Sequence, residues 1–416
     1  MKVLQVVGDS KFGGATYLIL EWCKFLLAQG CEVHVLSTDK ETIAELKRIR
    51  GVSVVQSIYI PRNIAPAADT LALVQLVRLI RKRRYDIVHT HTSTPGVIGR
   101  TAAWIARAPV RLHTAHGWPV SEFSGLAERL LYAPLENAAA RMSTRVICVS
   151  NATLSQACRF RLAPAKKLVV VRNGIDAAPF LKGSDGAGKR LREELGLPPD
   201  CLLIGSTSRL AKQKDLESLI RSIPYLRKLL FGKKFVVLLA GEGPERPALK
   251  ALSVLLRVNH YIRFLGFRRE VPEFLAALDV FVNASLWEGL SISLLEAMAA
   301  ELPIVATDIE ANAELIEDAA TGFLVPVQAP EEIAVAIAQF ARDRRLATRC
   351  AKAARRRLLA EFTLDRMFQD QWELYKDLRN KRIGYARPRA REAAAASKPV
   401  EANTTSSFRG SQSASD

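Results

Sequence analysis

The sequence predicts two tandem α/β domains, each a parallel sheet wound on both faces by helices. Three observations lead there. At 416 residues the chain exceeds what one ordinary core accommodates and suits two. Short β-rich runs alternate with helical stretches along almost its whole length, the pattern of parallel strands joined by crossover helices. The alternation breaks once, between Ala177 and Asp200, where Gly183-Ser184-Asp185-Gly186-Ala187-Gly188 and Pro198-Pro199 surround a short charged helix.

Taken in order, Lys2 to Val7 is a strand that stops at Gly8-Asp9-Ser10, and Phe12-Gly13-Gly14-Ala15 leads into a helix over Leu18–Ala28. These glycines do not form GxGxxG, so dinucleotide binding is a weak signal. Strands follow at Glu32–Ser37 and Val52–Gln56, a helix at Leu71–Arg84, a strand at Asp86–Thr90 and a helix at Val97–Arg107. The first domain, residues 1–180, closes with a strand at Val110–Thr114, a helix over Gly125–Ala140 and strands near Val146–Val149 and Leu168–Val171. Residues 181–200 read as a linker. The second domain, residues 201–360, repeats the alternation from a strand at Leu202–Thr207 to a mostly helical stretch over Glu331–Leu359. One more helical period covers Phe362–Leu378, and the basic tail from 381 to 416, rich in Ala, Ser and Arg beyond Ala386, reads as disordered.

The formal charge of +18 is concentrated in the first half, with 24 basic and 12 acidic side chains in residues 1–180 against 29 and 27 in residues 181–380. Such a bias suits an anionic partner, such as a membrane surface or a phosphorylated acceptor. A nucleic-acid partner is not expected, because no stretch interleaves aromatic and basic residues. The six cysteines contain no CxxC pair and sit mostly in apolar runs, which fits a reducing cytoplasm. The start is too short for a signal peptide and no apolar run spans a bilayer, so a cytoplasmic protein, peripheral at most, is expected. The helix ending in Arg81, Lys82, Arg83 and Arg84 reads first as an amphipathic helix with cations at its dipole's negative end, and second as a membrane contact.

Ligands of doubly wound sheets bind beyond the carboxyl ends of the strands, and the turns there hold nearly all the unusual residues. Ser285 to Ala299 reads as a strand end, a glycine turn and an apolar helix, with Glu288 before the helix and Glu296 inside it. Backbone N–H groups from Gly289 through Leu290 and Ser291 should point outward there as an anion site. Arg209 and Lys214 bracket the turn after the second domain's first strand and suit a diphosphate, one as a fork and one as a point charge. Glu296 also fits a capping box with Ser293, whereas nothing in capping or core packing requires Glu288. A glycosidase-like carboxylate pair remains a further option. His89, His91, His113 and His116 could approach one another, but no carboxylate or cysteine completes a zinc set, so no metal is expected. His116, before Gly117-Trp118-Pro119, is the histidine a core needs least.

Together these motifs resemble the retaining glycosyltransferases of the GT-B fold, specifically family 4, over roughly residues 1–380. The resemblance rests on Gly13-Gly14 with Glu21, Asp86–His91, Val149-Ser150-Asn151, Val171–Asp176, Gly205–Asp215, Ala240–Pro244, Phe264-Leu265-Gly266, Glu288–Ala299, Pro303–Thr307 and Gly322–Pro326. It implies two Rossmann-like domains facing across a cleft, with the last helix, within residues 361–380, crossing back to the first domain. A nucleotide-sugar donor would sit mainly on the second domain and a glycan or lipid-linked acceptor on the first. Arg209 and Lys214 would hold the diphosphate, Glu296 the ribose hydroxyls and Glu288 the transferred sugar, with Gly289, Leu290 and Ser291 lending N–H groups. Gly14 would approach the phosphate, His116 the sugar, and Phe267 and Arg268 the base. The implied activity is hexosyl transfer with retention, in surface polysaccharide assembly, without a metal or other cofactor. UDP-sugars are the first choice of donor and GDP-mannose the second. Departures from the family pattern are Ala15-Thr16-Tyr17, which lacks a basic residue, and Ser291-Ile292-Ser293 in place of Gly-Leu-Pro. The competing readings are a sugar-nucleotide 2-epimerase of the same fold and a binding protein without catalysis.

Overall fold

The structure is a computed structural model that describes residues 1–9, 13–61, 64–182 and 186–396, with backbone alone at 182 and 382–396. Among these residues the alternation folds into two parallel sheets. The first holds β1 (Lys2–Gly8), β2 (Glu32–Ser37), β3 (Val52–Val55), β4 (Ile87–His91), β5 (Val110–Ala115), β6 (Arg145–Cys148) and β7 (Leu168–Val170), in the order β3-β2-β1-β4-β5-β6-β7. The second holds β8 (Leu202–Thr207), β9 (Phe235–Ala240), β10 (Ile262–Gly266), β11 (Val280–Asn283), β12 (Ile304–Thr307) and β13 (Phe323–Val325), in the order β10-β9-β8-β11-β12-β13. In each sheet the order reverses beside its first strand, next to β4 and next to β11. Those reversals open the crevices in which ligands bind.

The central strands are buried without alternation because both faces are covered. Val3, Leu4, Val6 and Val7 of β1 are all buried. On one face Leu4, Val6 and Val88 pack under the helices Pro66–Arg83 and Thr94–Ile105. On the other, Val3 and Val7 meet Trp22 and Leu26 of the helix Gly14–Ala28 and Met367, Phe368, Tyr375 and Leu378 of the helix Leu364–Ala396. The last helix therefore crosses back to complete the core of the first domain. Phe368 and Tyr375 place their rings within 5.4 Å of the Trp22 ring. This is the GT-B arrangement that the resemblance implied.

The crossover is threaded through a tight point. Ile175 bridges Thr363, and a methyl group on Gly174 would stand 2.1 Å from the Thr363 carbonyl oxygen. Only a residue without a side chain lets the two strands of chain pass there.

Several elements differ from the sequence expectation. Helices at Lys40–Arg48 and Asn151–Arg159 went unread because they bury few large apolar residues. Each is instead held by its cap, Asp39 accepting from the Thr42 N–H and Ser150 from the Thr153 N–H. The stretch over Glu331–Leu359 is two helices, Pro330–Arg342 and Arg344–Glu361, parted at Asp343, whose carboxylate caps the second by accepting from the Leu346 N–H. Within residues 181–200, the helix Ala187–Glu194 packs on the second domain, with Arg192 donating to the Ala277 and Cys201 carbonyls and pairing with Asp279. The Gly183-Ser184-Asp185 part of that segment lies outside the described residues. The tail departs from the expected disorder in its first part, since the last helix continues to Ala396, as its alanine-rich composition favours. Residues 397–416 lie outside the described residues. Among the described residues no helix is long and apolar enough to cross a membrane.

Gly174→Ala is expected to destabilise the chain by about 1–3 kcal/mol through overpacking against Thr363. Gly117→Ala, where an added methyl meets nothing within 4 Å, should cost much less. Urea unfolding of both variants checks this, and equal losses would contradict it.

Candidate active site

The loop between β11 and the helix Ile292–Ala299 is held from below by polar residues at the strand ends. Thr307 Oγ1 donates to the Ser285 carbonyl (2.6 Å), Asn283 Nδ2 donates to Ser291 Oγ (3.0 Å), and Asn312 Nδ2 reaches the Thr307 carbonyl (2.9 Å). Among the described residues the N–H groups from Gly289 to Leu294 donate to no acceptor. They form the open N-terminal end of a helix with the preceding turn, the arrangement that receives an anion. The capping box expected of Ser293 and Glu296 is absent. The N-cap is Ser291, its side chain is bonded to Asn283, and Ser293 already lies inside the helix.

Lys214 ends a short 3-10 turn over Lys212–Lys214 that is laced to this loop. The Leu286 N–H donates to the Gln213 carbonyl and Gln213 Nε2 donates to the Trp287 carbonyl, both at 2.8 Å. Asp215 then takes φ 40° and accepts from Ser218 Oγ (2.7 Å), turning the chain sharply into the helix Leu216–Leu229. The result points Lys214 at Glu288, and the two form an ion pair whose side chains are 18% and 7% exposed. Ser285 Oγ donates to the same carboxylate oxygen of Glu288 (2.8 Å). Arg209 stands exposed in the turn after β8.

The first domain closes on this loop at Gly289. A side chain on Gly289 would stand 2.0 Å from the His116 carbonyl oxygen, so the two backbones touch. The Gly289 carbonyl accepts from Ser150 Oγ (2.5 Å) and Thr153 Oγ1 (3.1 Å), while Trp118 Nε1–H donates to the Thr153 carbonyl (2.8 Å). Phe123 stacks on Trp287 at 5.6 Å between ring centres. Gly14, at the start of its helix, faces Ile292 across the gap. Glu314 of the second domain caps the helix Asn151–Arg159 of the first by accepting from the Asn151 N–H (2.8 Å), and also binds Arg172 Nε (2.9 Å).

Glu296 retains some exposure, but its carboxyl lies deep enough that burial pushes its pKa up to about 8. The carboxyl group makes no hydrogen bond or ion pair with the described residues. Tyr17 faces the same region, its phenol pushed up to about 12 by burial and by the charges of Glu21, Asp176 and Glu296. Tyr17, Ser150, Thr153 and Glu314 are the residues that motif reading passed over. Ser150 stood inside the quoted Val149-Ser150-Asn151 and Tyr17 inside Ala15-Thr16-Tyr17, each without a role, and the other two carried no signal in spacing.

Phe267, half exposed, and Arg268, 3.5 Å from Glu194, stand after the edge strand β10, three strands from β11. The four histidines are engaged mainly with their surroundings. His89 bonds Tyr375 and Thr114, His113 bonds Thr90, and His91 bonds Gln5 and His116. Burial pushes His89 down to about 3 and His116 to about 4, so both rings are neutral near neutral pH. Among the described residues no group of three or more His, Cys, Asp or Glu is arranged to hold a metal.

The family model "Glycosyl transferases group 1" matches residues 188–357, and the model "Glycosyltransferase Family 4" matches residues 12–178. The chain is 29% identical over 328 residues to the UDP-Gal:alpha-D-GlcNAc-diphosphoundecaprenol alpha-1,3-galactosyltransferase of Escherichia coli, covering 78% of this chain and 84% of that protein. It is 24% identical over 356 residues to the capsular polysaccharide biosynthesis glycosyltransferase CapM of Staphylococcus aureus, covering 85% and 91%. The crystal structure of Anabaena HepE in complex with UDP and glucose superposes with a TM-score of 0.77 at 22% identity, over 91% of this chain and 100% of that one. Two family models matched end to end, on two sheets arranged as in GT-B enzymes, lead to one conclusion: the chain belongs to the group 1, family 4 glycosyltransferases.

Proposed function

We propose that the protein transfers a hexosyl unit, with retention, from a nucleoside diphosphate sugar to a glycan or lipid-linked acceptor in surface polysaccharide assembly. UDP-sugars are the favoured donors and GDP-mannose the alternative. The observation that carries this reading is the row of free N–H groups from Gly289 to Leu294 beside Lys214 and Glu288. An anion entering that row would draw Lys214 away from Glu288. The diphosphate thereby gains a cation, and the carboxylate becomes free to bind the hydroxyls of the sugar. Arg209 would complete the grip from its exposed position.

The chemistry follows from where charge develops. As the bond from the anomeric carbon to the phosphate oxygen breaks, negative charge grows on the diphosphate, where Lys214, Arg209 and the helix N-terminus are already aimed. These groups supply the stabilisation a divalent metal would give, so transfer is proposed to need none. Retention is proposed to need no protein nucleophile. The departing phosphate oxygen would take the proton of the acceptor hydroxyl as that hydroxyl attacks the same face. Glu296, at the start of the helix's second turn, would bind the ribose hydroxyls, and Phe267 and Arg268 would border the base. His116 would face the sugar from the first domain, and Gly14 would let the helix N-terminus approach the phosphate.

The acceptor is proposed to reach the site from a membrane. The helix Leu126–Met142 exposes Leu126, Leu130, Leu131 and Leu135 along one side, next to the exposed Phe123. Trp104 and Ile105 are exposed on the neighbouring helix, and Leu71 and Val74 on the one beyond, which ends in Arg81, Lys82 and Arg83. Apolar side chains among cations suit an anionic lipid surface. The lipid-linked substrate named for the Escherichia coli relative supports the same reading. The protein would then work on the cytoplasmic face as a peripheral enzyme.

Three outcomes test these proposals. With EDTA present, Glu288→Gln and Lys214→Ala should each lower turnover by about 10²–10³. UDP should still raise the melting temperature of Glu288→Gln but not that of Lys214→Ala, and undiminished transfer by either variant would contradict the site. Glu296 holds a proton when folded that it lacks when unfolded between its ordinary 4.5 and about 8, so it lowers stability as pH rises through that window. Thermal melts of Glu296→Gln should therefore show a gain over wild type that grows across the window and then levels, together with a loss of UDP-induced stabilisation. A gain independent of pH would contradict the burial of the carboxyl. Leu130→Glu with Leu131→Glu should abolish sedimentation with vesicles of anionic phospholipid while leaving UDP binding unchanged, and undiminished sedimentation would remove this face from the account.

A further inference from the structure

We propose that Gln5, His91 and Tyr375 are positioning residues that set the tautomer of His116 through a one-way chain of hydrogen bonds, presenting its Nδ1 as a bare acceptor for a sugar hydroxyl. The inference rests on the transferase reading for the identity of that hydroxyl, and on the geometry alone for the tautomer.

The chain starts from a group with no choice. The Trp22 indole N–H can only donate, and it donates to Tyr375 Oη at 3.2 Å. Gln5 Nε2 donates to the same oxygen at 3.2 Å. With two donors accepted, the phenol proton goes to His89 Nδ1, and the 2.6 Å separation is the short length of a hydroxyl donor. His89 then carries its own proton on Nε2, which donates to Thr114 Oγ1 at 2.7 Å.

Gln5 transmits the direction across the sheet. Its nitrogen is committed to Tyr375, so its oxygen faces His91 Nε2 at 2.8 Å and accepts from it. His91 is neutral, since burial and the neighbouring rings of His89, His116 and His113 hold it well below its ordinary value. Its proton therefore sits on Nε2 and its Nδ1 is bare. The partner of that Nδ1 is His116 Nε2 at 3.2 Å, which must donate. Neutral His116, with its proton on Nε2, is left with a bare Nδ1, and this atom is buried without a hydrogen-bond partner among the described residues. A buried acceptor left empty costs stability, and a substrate hydroxyl would satisfy it.

Turning the Gln5 amide over would reverse every bond and leave His116 with its proton on Nδ1. Trp22 and Tyr375, whose bond lies at the head of the relay, sit on helices from opposite ends of the chain. The last helix thus acts on the sugar-facing histidine without touching substrate.

Imidazole 15N spectra of the full chain labelled at histidine test this. Wild type should show His116 neutral between about pH 5 and pH 8, with Nε2 protonated and Nδ1 bare. Tyr375→Phe and Gln5→Leu should each give His116 a mixture of tautomers. Both should lower kcat by roughly three- to tenfold, the worth of one hydrogen bond, with KM for the donor within about twofold. A wild-type His116 protonated on Nδ1, or a His116 signal unchanged in both variants, would overturn the relay. A wild-type chain with the expected spectrum that transfers no sugar would defeat the transferase reading and leave the tautomer assignment standing.

Discussion

A cleft proposed to hold a diphosphate has to remain folded when none is there, and the Lys214–Glu288 ion pair meets that constraint. Neither side chain is well solvated. Separately, each would be a costly charge at a domain boundary. Paired, and with Ser285 donating to Glu288, they neutralise one another until an anion competes for the lysine. The surrounding polar frame serves this arrangement. Thr307, Asn283 and Asn312 hold the loop, and the turn at Asp215 aims the lysine. The N–H row beside the pair stays open because the capping side chain that could have closed it, Ser291, is turned away to Asn283.

The second dependence is on closure. The site's two walls come from different domains, and the contacts between them are short and specific. Ser150 and Thr153 grip the Gly289 carbonyl, Glu314 caps a helix of the other domain, and Arg159 bridges Glu122 and Glu310. The last helix adds a covalent return, so the first domain's core is incomplete without residues that follow the second domain. Its Tyr375 lies in the same hydrogen-bonded layer as Gln5, His89 and His91, directly beneath His116. The packing that completes the core also orients the histidine at the cleft.

The strands were the most legible part of the sequence because central parallel strands are buried on both faces. Phe235–Ala240 reads as an unbroken apolar run, and Leu202–Thr207 and Glu32–Ser37 as β-rich runs with clear ends. The helix Asn151–Arg159 was illegible for the converse reason, since it buries two alanines and a threonine and owes its start to Ser150. Within the site, Glu288 stood out because a carboxylate between Trp287 and Gly289 had no structural purpose in local terms. The capping box offered beside the ribose role of Glu296 has the right Ser-x-x-Glu spacing, but the helix starts two residues too early to use it. The grip on Gly289 and the cap by Glu314 join residues more than 130 positions apart, and no local pattern encodes such pairs.

The account turns on exchange of partners at Lys214. The most direct measurement is a crystal structure of the full chain with UDP bound. The account predicts diphosphate oxygens against the N–H groups of Gly289 to Leu294, with Lys214 Nζ moved from Glu288 onto phosphate. A diphosphate bound elsewhere, with the Lys214–Glu288 pair intact, would contradict it.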